Sequence, residues 1–166
     1  MIEIQKVGTE SIDTIRSLAH LTWAVAYRDI ISPDQMKYML ELIYSRASLH
    51  QQIAEKQHQF IIAYDDSKPV GFASYSVKEP STPTIYRLHK IYIDPTLQGK
   101  GVGKKLLEYV LDEIRPHQAT DLELNVNRHN KAINFYKKLG FIITSEEDID
   151  IGSGYYMNDY VMNLKV

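Results

Sequence analysis

The stretch from 86 to 127 constrains the fold more than any other. YRLHKIYI (86–93) reads as a strand, and DP then leads into the loop QGKGVGKK (98–105). Behind the loop, Val102, Leu106, Leu107, Val110, Leu111 and Ile114 fall on one helical stripe that Pro116 ends. DLELNVN (121–127) follows, with Leu122, Leu124 and Val126 alternating as in a strand. A helix that joins two strands of one sheet makes them parallel, with a right-handed crossover.

The rest of the chain fits around this unit. Residues 12–27 place Ile12, Ile15, Leu18, Ala19, Thr22 and Ala26 on one helical face. SPDQ (32–35) is a helix start: Ser32 caps, Pro33 suits the first position and Gln35 completes a capping box. Met36, Leu40, Ile43 and Tyr44 continue that helix, and a shorter one is expected over 48–56. QFIIAY (59–64), the turn DDSK (65–68) and PVGFASYSV (69–77) form a hairpin. NKAINFYKKLG (130–140) is a helix stopped by Gly140. FIITSEE and YYMNDYVMNLKV close the chain as two paired strands. The expected fold class is α/β (α+β), a mixed and mostly antiparallel sheet with helices on both faces. At 166 residues, a single domain over 1–166 is expected.

Composition narrows the function classes. There are 19 basic against 21 acidic residues and no basic stripe, so no nucleic-acid partner is expected. No apolar run approaches the roughly 18 residues a membrane span needs, and MIEIQKVGTE lacks the features of a signal peptide. The chain has no cysteine, which excludes disulfides, thiol catalysis and cysteine-bound zinc, and points to a cytoplasmic setting. The six histidines are scattered with no acid at ligand spacing, so no metal site is expected.

The loop is the chemical signal. A dinucleotide G-x-G-x-x-G starting at Gly99 fails because Lys104 stands where the third glycine belongs. A G-x-x-x-x-G-K-[ST] phosphate loop fails at Gln98 and at Lys105. What remains is Q-x-x-G-x-G, formed by Gln98, Gly101 and Gly103, at a helix N-terminus. Glycines let backbone approach a ligand, and the unpaired N–H groups of a first helical turn attract an anion. Lys100, Lys104 and Lys105 add positive charge. A pyrophosphate is the natural guest.

IYIDPTLQGKGVGKKLLEYVL, followed some 25 residues on by LNVNRHNKAINFYKKLGF, resembles the GNAT superfamily of acetyl-CoA-dependent N-acetyltransferases. The likeness runs over about 59–164 and is dense from 86 to 141. T-W-A-x-x-Y-R-D-I-I-S, with Y-M-N-D-Y-V-M near the end, looks like the PaiA-like branch of polyamine acetyltransferases. The resemblance implies a sheet splayed between its two central parallel strands, with acetyl-CoA as acetyl donor. It implies that the backbone of Ile91, Tyr92 and Ile93 lies along the pantetheine arm. It places the pyrophosphate on the amides of the loop from Gln98 through Gly99, Lys100, Gly101, Val102 and Gly103 to Lys104. Asn130 matches a cofactor-contacting Asn, with Asn127 its rival because N-K-A-I is one residue shorter than the common spacing. Tyr136 matches the tyrosine that protonates the departing thiolate of coenzyme A.

The general base is less legible. Many members of the family carry a carboxylate on the strand before the loop, and here that stretch offers Arg87 and His89. An imidazole titrates near neutral pH and suits a base, which makes His89 the candidate. Glu123 on the next strand and a backbone-held water are the alternatives. For the acceptor, the resemblance points to the early helices and the last hairpin. Trp23, Tyr27, Tyr38, Tyr155 and Tyr156 are candidate walls, and Asp29, Asp34, Glu41 and Asp148 are candidate attractors of a cation. The expected reaction is direct attack of a primary amine of a small, polyamine-like molecule. A protein or peptide N-alpha-acetyltransferase and a non-catalytic coenzyme-A sensor are the other readings. A homodimer is left open.

Overall fold

The computed structural model describes all residues, Met1–Val166. Seven strands are hydrogen-bonded in the order β1-β2-β3-β4-β5-β7-β6. They are β1 (Ile2–Val7), β2 (Gln59–Asp65), β3 (Lys68–Val77), β4 (Ile85–Ile93), β5 (Asp121–Asn127), β6 (Ile142–Gly152) and β7 (Tyr155–Lys165). The helices are α1 (Ile12–Ala26), α2 (Pro33–Tyr44), α3 (Arg46–His50), α4 (Val102–Ile114) and α5 (Ala132–Lys138). No helix is long and apolar enough to cross a membrane. The chain forms two compact units, Met1–Ser76 with His89–Glu113 and Val77–Leu88 with Ile114–Val166.

In the first unit, β1, β2 and β3 pair antiparallel. The β2–β3 hairpin turns through Asp66 and Ser67, both at positive φ (47° and 77°), the geometry whose twist matches the flanking strands. Phe60, Ile61, Ile62 and Ala63 are fully buried, as are Phe72 and Ala73. Helix α1 buries Ile15, Leu18, Ala19, Thr22 and Trp23, and the Thr22 hydroxyl stays satisfied by donating to Leu18 O at 2.8 Å. Helix α2 starts where SPDQ predicts, with Ser32 Oγ accepting from Gln35 N at 3.1 Å. On α4, Val102, Leu106, Leu107 and Val110 form the buried stripe.

Three elements differ from expectation. β1 was not anticipated, although Ile2 and Ile4 alternate with polar neighbours. The helix expected over 48–56 is present but starts earlier, as α3 from Arg46, capped by Ser45 Oγ, and it continues as a π-helical segment over Gln51–Glu55. That segment buries Gln52, whose Nε2 donates to Ile43 O (2.8 Å) and Ser48 Oγ (3.1 Å). β6 extends to Gly152, because DIDI continues the pairing, with Ile149 opposite Met157.

In the second unit, β4 pairs parallel with β5 from Ile85–Asp121 to Leu88–Leu124. β7 pairs antiparallel with both β5 and β6. Leu122, Leu124, Val126 and Met162 are buried on one side, and Leu164 on that side touches the position a Gly140 side chain would take. Alternation then puts Asn125, Asn127, Asp159 and Val161 on the opposite side.

Gly71 of β3 holds the first unit's strands at close range. A Cβ there would lie 2.9 Å from Tyr92 O and 3.4 Å from Ile93 Cα, both backbone atoms that have no rotamer to yield. Gly71→Ala is expected to cost about 1–3 kcal/mol in urea denaturation, as overpacking does. An unchanged midpoint would show that β3 and β4 separate freely at Gly71.

Candidate functional site

The glycine loop is built by the turn before it. Asp94 is buried at the end of β4 and accepts from Thr96 N (2.9 Å) and Thr96 Oγ1 (2.8 Å), which holds its carboxyl below the usual range. Asp94 N donates to Val70 O at 2.7 Å, tying the turn to β3. Pro95–Leu97 then makes a short 3-10 turn. Gly99 and Gly101 follow at φ +81° and +82°, conformations that favour glycine, and neither has an atom within 4 Å of where a Cβ would stand. The first bond of the α4 ladder runs from Lys105 N to Gly101 O at 3.1 Å. The amides of Val102, Gly103 and Lys104 therefore precede the ladder. Two loop amides are already used: Gln98 N donates to Pro95 O at 3.5 Å and Lys100 N to Leu97 O at 3.3 Å. No acidic residue occupies the first turn, and Lys100, Lys104 and Lys105 are exposed. Open backbone, unpaired amides and positive charge suit a phosphate group, so these residues fit the pyrophosphate of a coenzyme-A-type donor.

β4 carries the next group. His89 is half-buried, and its Nε2 lies 2.7 Å from Ser76 Oγ. Its ring stacks on His58 with centroids 3.9 Å apart and planes at 9°. Burial, with the charges of Lys90 and Lys56, pushes His58 down to about 4, so His58 is neutral at neutral pH and its stack adds no charge. On the other face of β4, Lys90 is buried and donates to Gln52 Oε1 at 2.7 Å, with the rings of Phe60 and Tyr44 at 5.5 and 5.8 Å. Burial above all, and the charge of Lys56 second, push its ammonium down to about 7. Tyr92 extends from the same face, its hydroxyl 3.0 Å from that of Tyr27. Trp23 packs on Tyr27 with centroids 4.4 Å apart and planes tilted by 42°, completing a packed aromatic cluster.

In the second unit, Asn130 precedes α5 rather than opening it. Its Oδ1 accepts from Ala132 N at 2.9 Å, and Asn127 Oδ1 accepts from His129 N at 2.9 Å. Both candidates thus hold the turn into α5 with their oxygens. Tyr136 is buried in α5, edge-on to Phe135 and Phe141 at 5.4 and 5.6 Å.

Residues 28–156 match the family profile described as an acetyltransferase (GNAT) domain. The chain belongs to the GNAT acetyltransferase family. It is 28% identical over 161 residues to a spermidine N(1)-acetyltransferase of Thermoplasma acidophilum, covering 94% of this chain and 95% of that protein. The crystal structure of the PaiA N-acetyltransferase from Thermoplasma acidophilum, in complex with coenzyme A, superposes with a TM-score of 0.84 at 26% identity. That match covers 100% of this chain and 99% of the other. A peptidyl-lysine N-acetyltransferase, YjaB of Salmonella typhimurium, is 34% identical over 92 residues, 55% of this chain. This GNAT chain spans about half the length of that relative, 54%.

Within the GNAT fold, the sequence-predicted residues fall into two groups. His89, Ile91–Ile93 and the Gln98–Lys104 loop lie in the first compact unit, and Asn127, Asn130 and Tyr136 in the second. Glu123, the alternative base, is held by Lys78 Nζ at 3.0 and 3.1 Å. Trp23 and Tyr27, expected as acceptor walls, are buried in the aromatic cluster, whereas Tyr156 is exposed. Asp148 is paired with Arg128. Three features escaped the sequence reading: the His58 stack, the buried Lys90, and the polar group of Asn125, Glu147 and Asp159. A lysine alternating with Leu88 and Tyr92 was the one available sign of the second.

Proposed function

We propose that the chain moves the acetyl group of acetyl-CoA to a primary amine of a small, polyamine-like molecule by direct attack. The loop carries this reading: Gly99 and Gly101 stand open at positive φ, directly ahead of amides that precede the α4 ladder. The amides of Gly99, Gly101, Val102, Gly103 and Lys104 hold the pyrophosphate, Lys100 N being committed to Leu97 O, and the backbone of Ile91, Tyr92 and Ile93 lies along the pantetheine arm. Asn130 contacts the donor through its side-chain NH2, since its oxygen is committed to Ala132.

Attack forms one N–C bond and breaks the C–S bond. The amine must shed a proton and the thiolate must gain one. His89 takes the first, its orientation fixed by Ser76 and by the His58 stack. Tyr136 gives the second. General acid–base help of this kind contributes roughly 10²–10⁴-fold. Full-length likeness to a spermidine acetyltransferase supports the small-amine acceptor, and the absence of cysteine fits a cytoplasmic setting.

The half-length likeness to a peptidyl-lysine acetyltransferase favours a protein acceptor as second reading. An amine panel that follows release of free coenzyme A tests both: polyamines, aminoglycosides, amino acids, and peptides with a lysine or a free N-terminus. Release is expected with polyamines above all others. Release with peptides alone would favour the protein acceptor, and donor binding with no release from any amine would leave a coenzyme-A sensor.

A further inference from the structure

Asp159 of β7 is 1% exposed, yet its Oδ1 has no hydrogen-bond partner. A buried carboxylate oxygen without a donor is costly, and such exceptions mark strain, function or an absent guest. The other oxygen, Oδ2, accepts from Asn125 Nδ2 at 3.3 Å, and the same Nδ2 donates to Glu147 Oε2 at 3.1 Å. One NH2 group therefore bridges a buried and an exposed carboxylate, with Glu147 marking the solvent side.

The charges around this group do not balance. Arg128 is engaged by Asp148 and Glu146, and it reaches Asp159 only at the main-chain oxygen, 3.4 Å from Nε. Arg87 is turned to Asn125 Oδ1. The two guanidiniums face four carboxylates, Glu146, Glu147, Asp148 and Asp159. Two negative charges are left over, and Asp159 and Glu147 are the pair whose carboxylates no cation bonds, Arg128 reaching Glu147 too only at its main-chain oxygen, 3.2 Å from Nη2. Burial is the main cause that raises the Asp159 carboxyl above its ordinary range, and Glu147 adds to it against the pull of Asn125, Arg128 and Arg87. A cationic guest would relieve both the missing donor and the missing charge.

We infer that Asp159, with Glu147 and the Asn125 bridge, is the recognition site for an ammonium group of a di- or polyamine acceptor. The inference rests on the acetyl-transfer reading for the word acceptor, but the binding site stands on its own geometry. An alkylammonium brings three N–H donors and a full charge, which fits one buried and one exposed carboxylate held at a shared nitrogen. A polyamine supplies a second cation that a monoamine lacks, so the site selects polyamines over simple amines.

The test is calorimetric binding of spermidine and of propylamine to the coenzyme-A-loaded protein, with kcat/KM for both amines alongside. Asp159→Asn keeps the Asn125 bond and removes the charge. It is expected to weaken spermidine binding about 10- to 100-fold and to lower the spermidine-to-propylamine kcat/KM ratio by a similar factor. Its melting temperature should equal or exceed that of the native chain at pH 7, because a penalised charge has gone. Spermidine affinity within twofold of native, or equal losses for both amines, would overturn the inference. Where Asp159→Asn does not fold, Glu147→Gln decides: a loss of about threefold or more supports the site, and unchanged affinity overturns it. Should the native protein bind spermidine yet release no coenzyme A, the acetyl-transfer reading fails and the ammonium site stands.

Discussion

Tyr136→Phe is expected to lower kcat by at least about 100-fold while leaving the dissociation constant of coenzyme A within about twofold. The ring sits in α5 among Phe135 and Phe141, so phenylalanine keeps the edge-on packing and loses the hydroxyl alone. Without that hydroxyl the thiolate leaves unprotonated, or takes its proton from water. The two roles of a buried tyrosine separate cleanly. A packing role predicts a fall in melting temperature with little change in kcat. An acid role predicts the reverse, together with loss of the alkaline limb of the kcat profile, which reports the group that must stay protonated. Stopped-flow or steady-state release of free thiol measures the first quantity, and donor titration the second. An unchanged kcat would remove Tyr136 from the proton path.

The parts of this chain that were legible in the sequence are those set by local chemistry. Ser32-Pro33 with Gln35 announces α2, Asp-Asp-Ser-Lys announces the β2–β3 turn, and the spacing of Val102, Leu106, Leu107 and Val110 announces the buried face of α4. The glycine loop was legible for the same reason, since Gly99 and Gly101 answer to backbone angles. β1 was missed because a short edge strand gains its place from β2, its tertiary partner, rather than from its own pattern. The helix over 48–56 was legible, but its π-helical form over Gln51–Glu55 was not, since the bonds of the buried Gln52 to Ile43 and Ser48 are tertiary detail. The Asp159 group was illegible on the same grounds. Asn125, Glu147 and Asp159 come from three strands, and neither their shared nitrogen nor the orphaned oxygen leaves a mark in any one segment. The glycine loop is written in consecutive residues, whereas the Asp159 group depends on long-range contacts.

Lys90 extends that contrast to stability. Its ammonium is buried on Gln52 between Phe60 and Tyr44, and its titration falls from the usual value near 10.4 to about 7. Between those two values the unfolded chain keeps a proton that the native chain has lost. Stability therefore rises with pH across that window, and the penalty is full below about pH 7. Integrated over the window, the Lys90 contribution amounts to roughly 4 kcal/mol, an upper figure because side-chain relaxation and entering water reduce it. Lys90→Met fills the same volume without a charge. The expected result is that the native chain gains stability from pH 7 to pH 9 by about 2 kcal/mol more than the variant does, read from paired urea titrations. The comparison at two pH values matters because methionine also leaves Gln52 Oε1 without its donor, a cost that is the same at both and cancels. Parallel pH profiles for the two proteins would mean that Lys90 stays protonated in the core, held there by Gln52 and the two rings. A strand that places a lysine in the core opposite a stacked histidine pair spends stability at neutral pH. Its neighbours Ile91 to Ile93 carry the proposed donor contact, so the variant also asks whether that cost is tied to donor binding.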